Sequence, residues 1–234
     1  MLSLDLKKAA EKLGIKADFE LLPAGLHENP DQLRILIQQI INTVSNNGYD
    51  RIVIGYGICG QGTTGIKAGK LPLVIPQVHD CISLFLGSDA AYKEQFKTCP
   101  GTYYFTAGWF GPNAEPDEQR NFPIGLNPAQ NRSLSYSKEE SELIKEFFSG
   151  WQKNYSRAVF INTAAEQGKK AEEYAKKTAE KYDWKYEEIP GNARLFEKML
   201  TADKSDDEIL LVPPDSTIVF NAQTGKLQAI AAKG

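Results

Sequence analysis

Apolar residues in this chain either recur at helical spacing or crowd into short unbroken runs, and the alternation of the two predicts its elements. Leu4, Leu6, Ala10 and Leu13 share one face of a helix over Leu4–Leu13, stopped by Gly14. Phe19–Leu22 reads as a short strand before Pro23. Leu33, Leu36, Ile37, Ile40, Ile41 and Val44 form the buried stripe of a second helix. Asn29-Pro30-Asp31 opens it, with Pro30 suited to the first turn, and Asn47-Gly48 ends it. Arg51–Tyr56 and Leu71–Ile75 are continuous apolar runs of the kind buried on both faces of a parallel sheet. Asp80 is placed to cap a short helix, Cys81–Leu86; Asp89–Phe96 reads as a further helix and Thr102–Thr106 as a strand.

Residues 107–136 break the pattern with Pro112, Pro116, Pro123 and Pro128, and read as a long lid, binding loop or linker. Ser137 and Glu140 have capping-box spacing for a helix running to about Trp151. The remainder alternates: strand Ala158–Ile161, helix Glu166–Tyr182, strand Trp184–Ile189, helix Asn192–Leu200 and strand Ile209–Val212. After the turn Pro213-Pro214-Asp215-Ser216 comes a closing strand, Thr217–Phe220. This order predicts an α/β fold with two Rossmann-like lobes and mainly parallel sheets. The first lobe covers residues 1–136 with the long loop, and the second, with the linking helix, covers 137–234.

The chain has 234 residues and a net charge of −3, which gives no global attraction to nucleic acid or anionic lipid. No apolar run reaches membrane-spanning length, and Met1–Lys12 mixes charged with apolar residues unlike a signal peptide. Three cysteines without an export signal point to the reducing cytoplasm, where thiols stay available for metal or chemistry.

In open α/β sheets ligands bind beyond the carboxyl ends of the strands. His27 follows Phe19–Leu22; Gly57, Cys59 and Gly60 follow Arg51–Tyr56; His79, Asp80 and Cys81 follow Leu71–Ile75; Trp109 follows Thr102–Thr106. Both histidines and two of the three cysteines thus fall at one rim. Cys59, His79 and Cys81 are donors suited to zinc or iron, although their spacing is not that of a zinc finger. Equally, Cys59 and Cys81 read as small buried hydrophobes and His79 as a packing or capping residue. A thiol reading also stands, with Cys81 after His79-Asp80 at a helix start, or Cys59 in a glycine turn, as a nucleophile. Gly57, Gly60 and Gly62 fit no dinucleotide or P-loop motif; they let backbone approach a ligand or serve tight packing. Tyr56, Tyr103, Tyr104 and Trp109 line an aromatic pocket or belong to the core. Cys99 lies at the start of its strand, away from this rim, and reads as structural.

The motifs Leu26-His27-x-x-Pro30, Tyr56-Gly57-x-Cys59-Gly60-x-Gly62, Leu73-Val74-Ile75-Pro76-x-x-His79-Asp80-Cys81-Ile82-x-Leu84-x-Leu86-Gly87, Pro100-Gly101-Thr102-Tyr103-Tyr104 and Gly108-Trp109 together resemble the DUF1638 family. Gly191-x-x-x-Leu195 and Val212-Pro213-Pro214 extend the likeness. The family comprises bacterial and archaeal cytoplasmic proteins. The resemblance implies, by association with corrinoid-dependent methylamine or betaine methyltransferases, a place in one-carbon metabolism. Cys59, His79 and Cys81 match the family motif. Many members begin with a strand ending in an Ala-Cys-Gly-like turn; this chain starts at the following helix, so a further cysteine of the family is expected to be missing from it.

The leading expectation is therefore a metal-binding α/β protein. Cys59, His79 and Cys81 hold zinc or iron, His27 is a fourth ligand or acid–base group, and Asp80 orients an imidazole. Trp109 and the glycines line the site of a small molecule. Alternatives are a metal-free enzyme with a reactive cysteine, and a non-catalytic accessory protein that meets a corrinoid protein or methyltransferase.

Overall fold

The computed structural model describes residues 2–22, 26, 29–44, 48–109 and 150–231. All but the last two residues of the expected helix over 137–151, nearly all of the 107–136 loop, and His27 lie outside these residues. The chain divides into two compact units, each drawn from separate stretches of sequence. One comprises Leu2–Leu22, Asn29–Tyr92 and Asn192–Gly234; the other comprises Pro23–Glu28 and Lys93–Gly191. Among the described residues, no helix is long and apolar enough to cross a membrane.

In the first unit, α1 (Ser3–Leu13) buries Leu6, Ala9 and Ala10, while Leu13 turns outward at 37% exposure. Helix α2 (Pro30–Val44) buries Leu33, Ile37 and Ile41, spaced four apart, which is the centre of the stripe read from sequence. Asn29 caps it, its side-chain Oδ1 accepting from the Gln32 N–H at 3.1 Å. Strands β1 (Ile52–Val53) and β2 (Leu73–Pro76) pair in parallel, Ile52 opposite Leu73 and Val53 opposite Val74. Leu73, Val74 and Ile75 are at most 1% exposed, so β2 is the central strand of its sheet. Burying each such side chain contributes about 1.5–3 kcal/mol. Helix α3 (Cys81–Leu86) follows, and α4 (Asp89–Thr98) carries the chain from the first unit into the second, whose longer stretch begins at Lys93.

The second unit contains an all-parallel sheet of β3 (Thr102–Thr106), β4 (Arg157–Asn162) and β5 (Lys185–Pro190). Helix α5 (Gly168–Tyr182) connects β4 to β5 and lays Ala171, Ala175 and Ala179 on one sheet face, against Phe105, Ala158 and Phe160. Small residues on the helix let it sit close to the bulky aromatics of the strands. On the other face Arg157, 6% exposed, donates to Thr102 Oγ1, Glu187 and the Gln95 carbonyl, so its buried charge is fully engaged.

The chain then returns to the first unit as α6 (Arg194–Thr201), β6 (Ile209–Val212), β7 (Ser216–Asn221) and β8 (Lys226–Ala231). α6 packs against α1, and Lys12 reaches Glu197 at 2.6 Å. The protein is thus of mixed α/β type with small sheets.

Three details differ from the sequence reading. Residues 19–22 form no strand: Leu21 is 60% exposed, and an extended segment becomes a strand only when a neighbour takes up its backbone groups. β6 runs antiparallel to β2. The right-handed crossover rule governs parallel strands of one sheet, and β5 and β6 belong to different sheets, so alternation alone does not set β6's direction. The closing strand also has a partner, β8, antiparallel to β7. Parallel pairing is therefore general only in the β3–β5 sheet.

Candidate functional site

The β1 and β2 segments stay paired past their ends. Ile54 donates to the Val74 carbonyl at 2.8 Å, and Ile58 donates to the Val78 carbonyl at 2.8 Å. Beyond the paired residues 52–53 and 73–74, these two hydrogen bonds keep the same offset, and the turn at Cys59 and the segment His79-Asp80-Cys81 follow Ile58 and Val78 directly. Gly57 is what permits this approach, because a Cβ there would stand 2.5 Å from the Val78 carbonyl oxygen. Gly60 follows in a left-handed conformation (φ 62°) inside the short turn Cys59–Gln61. Gly62 presses on α2, where a Cβ would meet Leu33 Cδ2 at 2.6 Å. Gly57 and Gly62 thus each have a packing reason to be glycine. The side chain of Cys59 lies outside what the structure describes.

Asp80 caps α3. It has extended backbone angles, and its Oδ1 accepts from the Ile82 N–H at 2.8 Å. An N-cap of this kind contributes about 1 kcal/mol. Cys81 is the first residue of α3 and is half-buried, while Ile82, Leu84 and Phe85 behind it are buried. The other end of α3 is held by Arg194, whose Nε and Nη2 donate to the Gly87 carbonyl at 3.0 and 2.7 Å. Arg194 in turn pairs with Glu208, whose carboxyl it holds below the usual range by hydrogen bonding. A cation at this position also opposes the negative end of the helix. The segment carrying Asp80 and Cys81 is therefore fixed at both ends.

His79 is exposed. Its imidazole faces the turn between β7 and β8: a methyl group on Gly225 would lie 3.9 Å from both Cε1 and Nε2. Gln77, two residues earlier, ties this hairpin to the end of β2. Its N–H donates to the Glu208 carbonyl at 2.7 Å, and its Oε1 accepts from Leu227 N–H at 2.9 Å. An open groove of about 720 Å³ adjoins the hairpin, lined by Gln77, Asp206, Asp207, Thr224, Lys226 and Leu227 among others. Its charges are already matched, Lys198 to Asp206 at 2.6 Å and Lys226 to Asp207 at 2.5 Å.

Of the residues singled out from sequence, Gly57, Cys59, His79, Asp80 and Cys81 lie in one unit, and Gly57 and Ile58 meet Val78, the residue before His79. Trp109 ends a short turn after β3 in the other unit, and its side chain, like His27, lies outside the description. Among the described residues no group of three or more His, Cys, Asp or Glu is arranged to hold a metal ion; that set does not include the Cys59 thiol. A thiol pair and an imidazole remain, by donor chemistry, a fitting set for zinc or iron.

Sequence reasoning missed two neighbours. The β7–β8 turn reaches His79, and Gln77 finds its partner in Leu227, only because a strand absent from the sequence reading, β8, folds back. Cys99, read as structural, has its thiol drawn below the usual range, first by a hydrogen bond with Ser156 Oγ at 3.4 Å and further by Thr102 and the charge of Arg157.

The fold is a mixed α/β scaffold in whose first unit one hydrogen bond, from Ile58 to Val78, joins the residues that precede the Cys59 turn and the His79-Asp80-Cys81 segment. The chain belongs to the DUF1638 family, a protein family of unknown function, which matches residues 21–200. No curated protein and no solved structure matches it.

Proposed function

We propose that this protein binds zinc or iron through Cys59, His79 and Cys81 and uses the site to bind or transform a small molecule. The observation that supports this reading is the hydrogen bond from Ile58 to Val78, which joins the last residue before each motif. The glycine turn Gly57–Gly62 is proposed as part of the ligand's surroundings; His27 and Trp109 belong to the other unit and form no part of this proposal. Asp80, with one oxygen engaged by the Ile82 N–H, keeps its second oxygen for orienting an imidazole. A bound metal of this kind would supply Lewis-acid chemistry. The family likeness suggests one-carbon chemistry of the corrinoid-linked, methylamine type, with a corrinoid protein or methyltransferase as partner, and a reducing cytoplasmic setting suits ligating thiols. The β4–α5–β5 unit, two parallel strands joined by a helix, supports reading the second unit as Rossmann-like.

The test is metal analysis of untagged protein beside Cys59→Ser and Cys81→Ser. Stoichiometric zinc or iron in the wild type, lost in both variants, is the expected result. Substoichiometric metal, unchanged by the substitutions, overturns the proposal.

A further inference from the structure

We infer that the turn of the β7–β8 hairpin forms one wall of the His79 site and that Gln77 positions that turn end. This rests on the metal-binding reading above and adds a second structural element to that site.

Three observations converge. The first is proximity: Gly225, at the hairpin turn, stands where a single added carbon would touch the Nε2 edge of His79 at 3.9 Å. The second is rigidity of the turn itself. Asn221 Oδ1 accepts from the N–H groups of Gln223 and Thr224 at 2.9 and 3.2 Å, and the Asn221 carbonyl accepts from Gly225 at 2.9 Å. Gly225 adopts φ 66°, a left-handed conformation that closes the turn. The third is the link to the site. In an antiparallel pair every second N–H points away from the partner strand and needs another acceptor. For Leu227, whose side chain is 1% exposed, that acceptor is Gln77 Oε1. Gln77 lies two residues before His79, and its own N–H is held by the Glu208 carbonyl. Backbone bonds between residues 65–68 and Ser216–Ile218 hold the far end of the hairpin; at the turn end, the Gln77 side chain ties it to the strand end from which His79 emerges. A ligand approaching Nε2 passes the Gly225 turn, and the missing side chain there leaves that edge open.

The experiment measures zinc affinity by competition with a chromophoric chelator, and the absorption spectrum of cobalt(II) in its place. The proteins are wild type, Gln77→Ala, Gln77→Glu and Gly225→Asn. Gln77→Ala removes the acceptor and is expected to weaken zinc by about tenfold, the usual effect of losing a group that supports a ligand. Gln77→Glu keeps an acceptor oxygen and is expected to restore wild-type affinity and the wild-type cobalt spectrum, which a general loss of packing would not do. Asparagine tolerates left-handed backbone, so Gly225→Asn is expected to keep its fold while placing a side chain against Nε2 and weakening zinc by about tenfold. Wild-type zinc binding with unchanged affinity in folded Gln77→Ala or in Gly225→Asn overturns this inference and leaves the metal reading standing. Absence of zinc binding by the wild type overturns the metal reading itself. Should Gln77→Ala fail to fold, Gly225→Asn alone decides.

Discussion

Gly57→Ala tests the contact on which the site is built. The added methyl would begin 2.5 Å from the Val78 carbonyl oxygen and 3.1 Å from Val78 Cγ2, whereas real Cβ atoms essentially never come closer than 3.0 Å to a neighbour. Val78 is 1% exposed and Ile58 4%, so neither segment can swing aside into solvent. At least half an ångström must be found by backbone movement, and the movement falls on the Ile58–Val78 hydrogen bond of 2.8 Å. Overpacking of this kind costs about 1–3 kcal/mol and a weakened buried hydrogen bond about 1 kcal/mol, giving about 2–4 kcal/mol in all. For a chain of this size that lowers Tm by at least about 4 °C. Gly168→Ala serves as control: its Cβ would meet only Phe160 Cζ at 3.8 Å, at the first residue of α5, and the loss of a glycine should leave stability equal or raise it by about 0.5 kcal/mol. The assay is thermal and urea unfolding, with metal content measured on the same samples. If Gly57→Ala melts within about 1 °C of wild type, well inside the shift expected here, the two segments do not meet as described and the argument for a shared site fails.

Two further expectations concern titrating groups. The Asp206 carboxyl is drawn from 3.8 to about 2, chiefly by its hydrogen bond from Lys198, against the opposing effect of burial and with help from the N–H groups of Glu208 and Ile209. Because the folded value is depressed, the stabilisation is present above the unfolded pKa of 3.8 and disappears as pH falls through about 2. Its side chain is 40% exposed, so water screens the pair and the contribution is held below about 1 kcal/mol. Urea unfolding of wild type and Asp206→Asn should differ near neutrality and converge toward pH 2; a gap that persists unchanged at low pH contradicts the assignment. For Cys99, Ser156→Ala removes the largest influence lowering the thiol, so alkylation of Cys99, followed by peptide mass spectrometry, should require higher pH than in wild type. An unshifted pH profile would mean that the Ser156 contact does not set the thiol's acidity.

Long-period patterns were legible in the sequence and single contacts were not. The stripe through Leu33, Ile37 and Ile41, and the unbroken runs Leu73–Ile75 and Ala158–Ile161, reflect burial of whole faces, which composition alone reveals. The run Phe19–Leu22 has the same look, but nothing local says whether a neighbouring strand will take up its backbone groups. β8 escaped for the opposite reason: Lys226, Gln228, Ala229 and Ala231 have little strand preference, and it is the Asn221–Gly225 turn that returns them to β7. That turn was the available signal. The parallel pairing of β1 with β2, from which the shared rim of Cys59 and His79–Cys81 is expected, could be read from two continuous apolar runs. The roles of Gly57 and Gly62 could not, since the atoms they avoid, the Val78 carbonyl and Leu33 Cδ2, are fixed only by tertiary packing.

The interleaved order of the two units bears on synthesis. Residues 93–191 form one uninterrupted stretch, so most of the second unit can collapse while the rest of the chain is still being made. β2 has no such luck: one flank of this central, fully apolar strand waits for β6, which begins at residue 209. At ordinary translation speeds that interval is about 7–27 s, during which a sticky strand edge is open to other nascent chains. Ribosome-associated chaperones are the natural cover for it, and yield from an expression host should respond to them more than the finished molecule's stability would suggest.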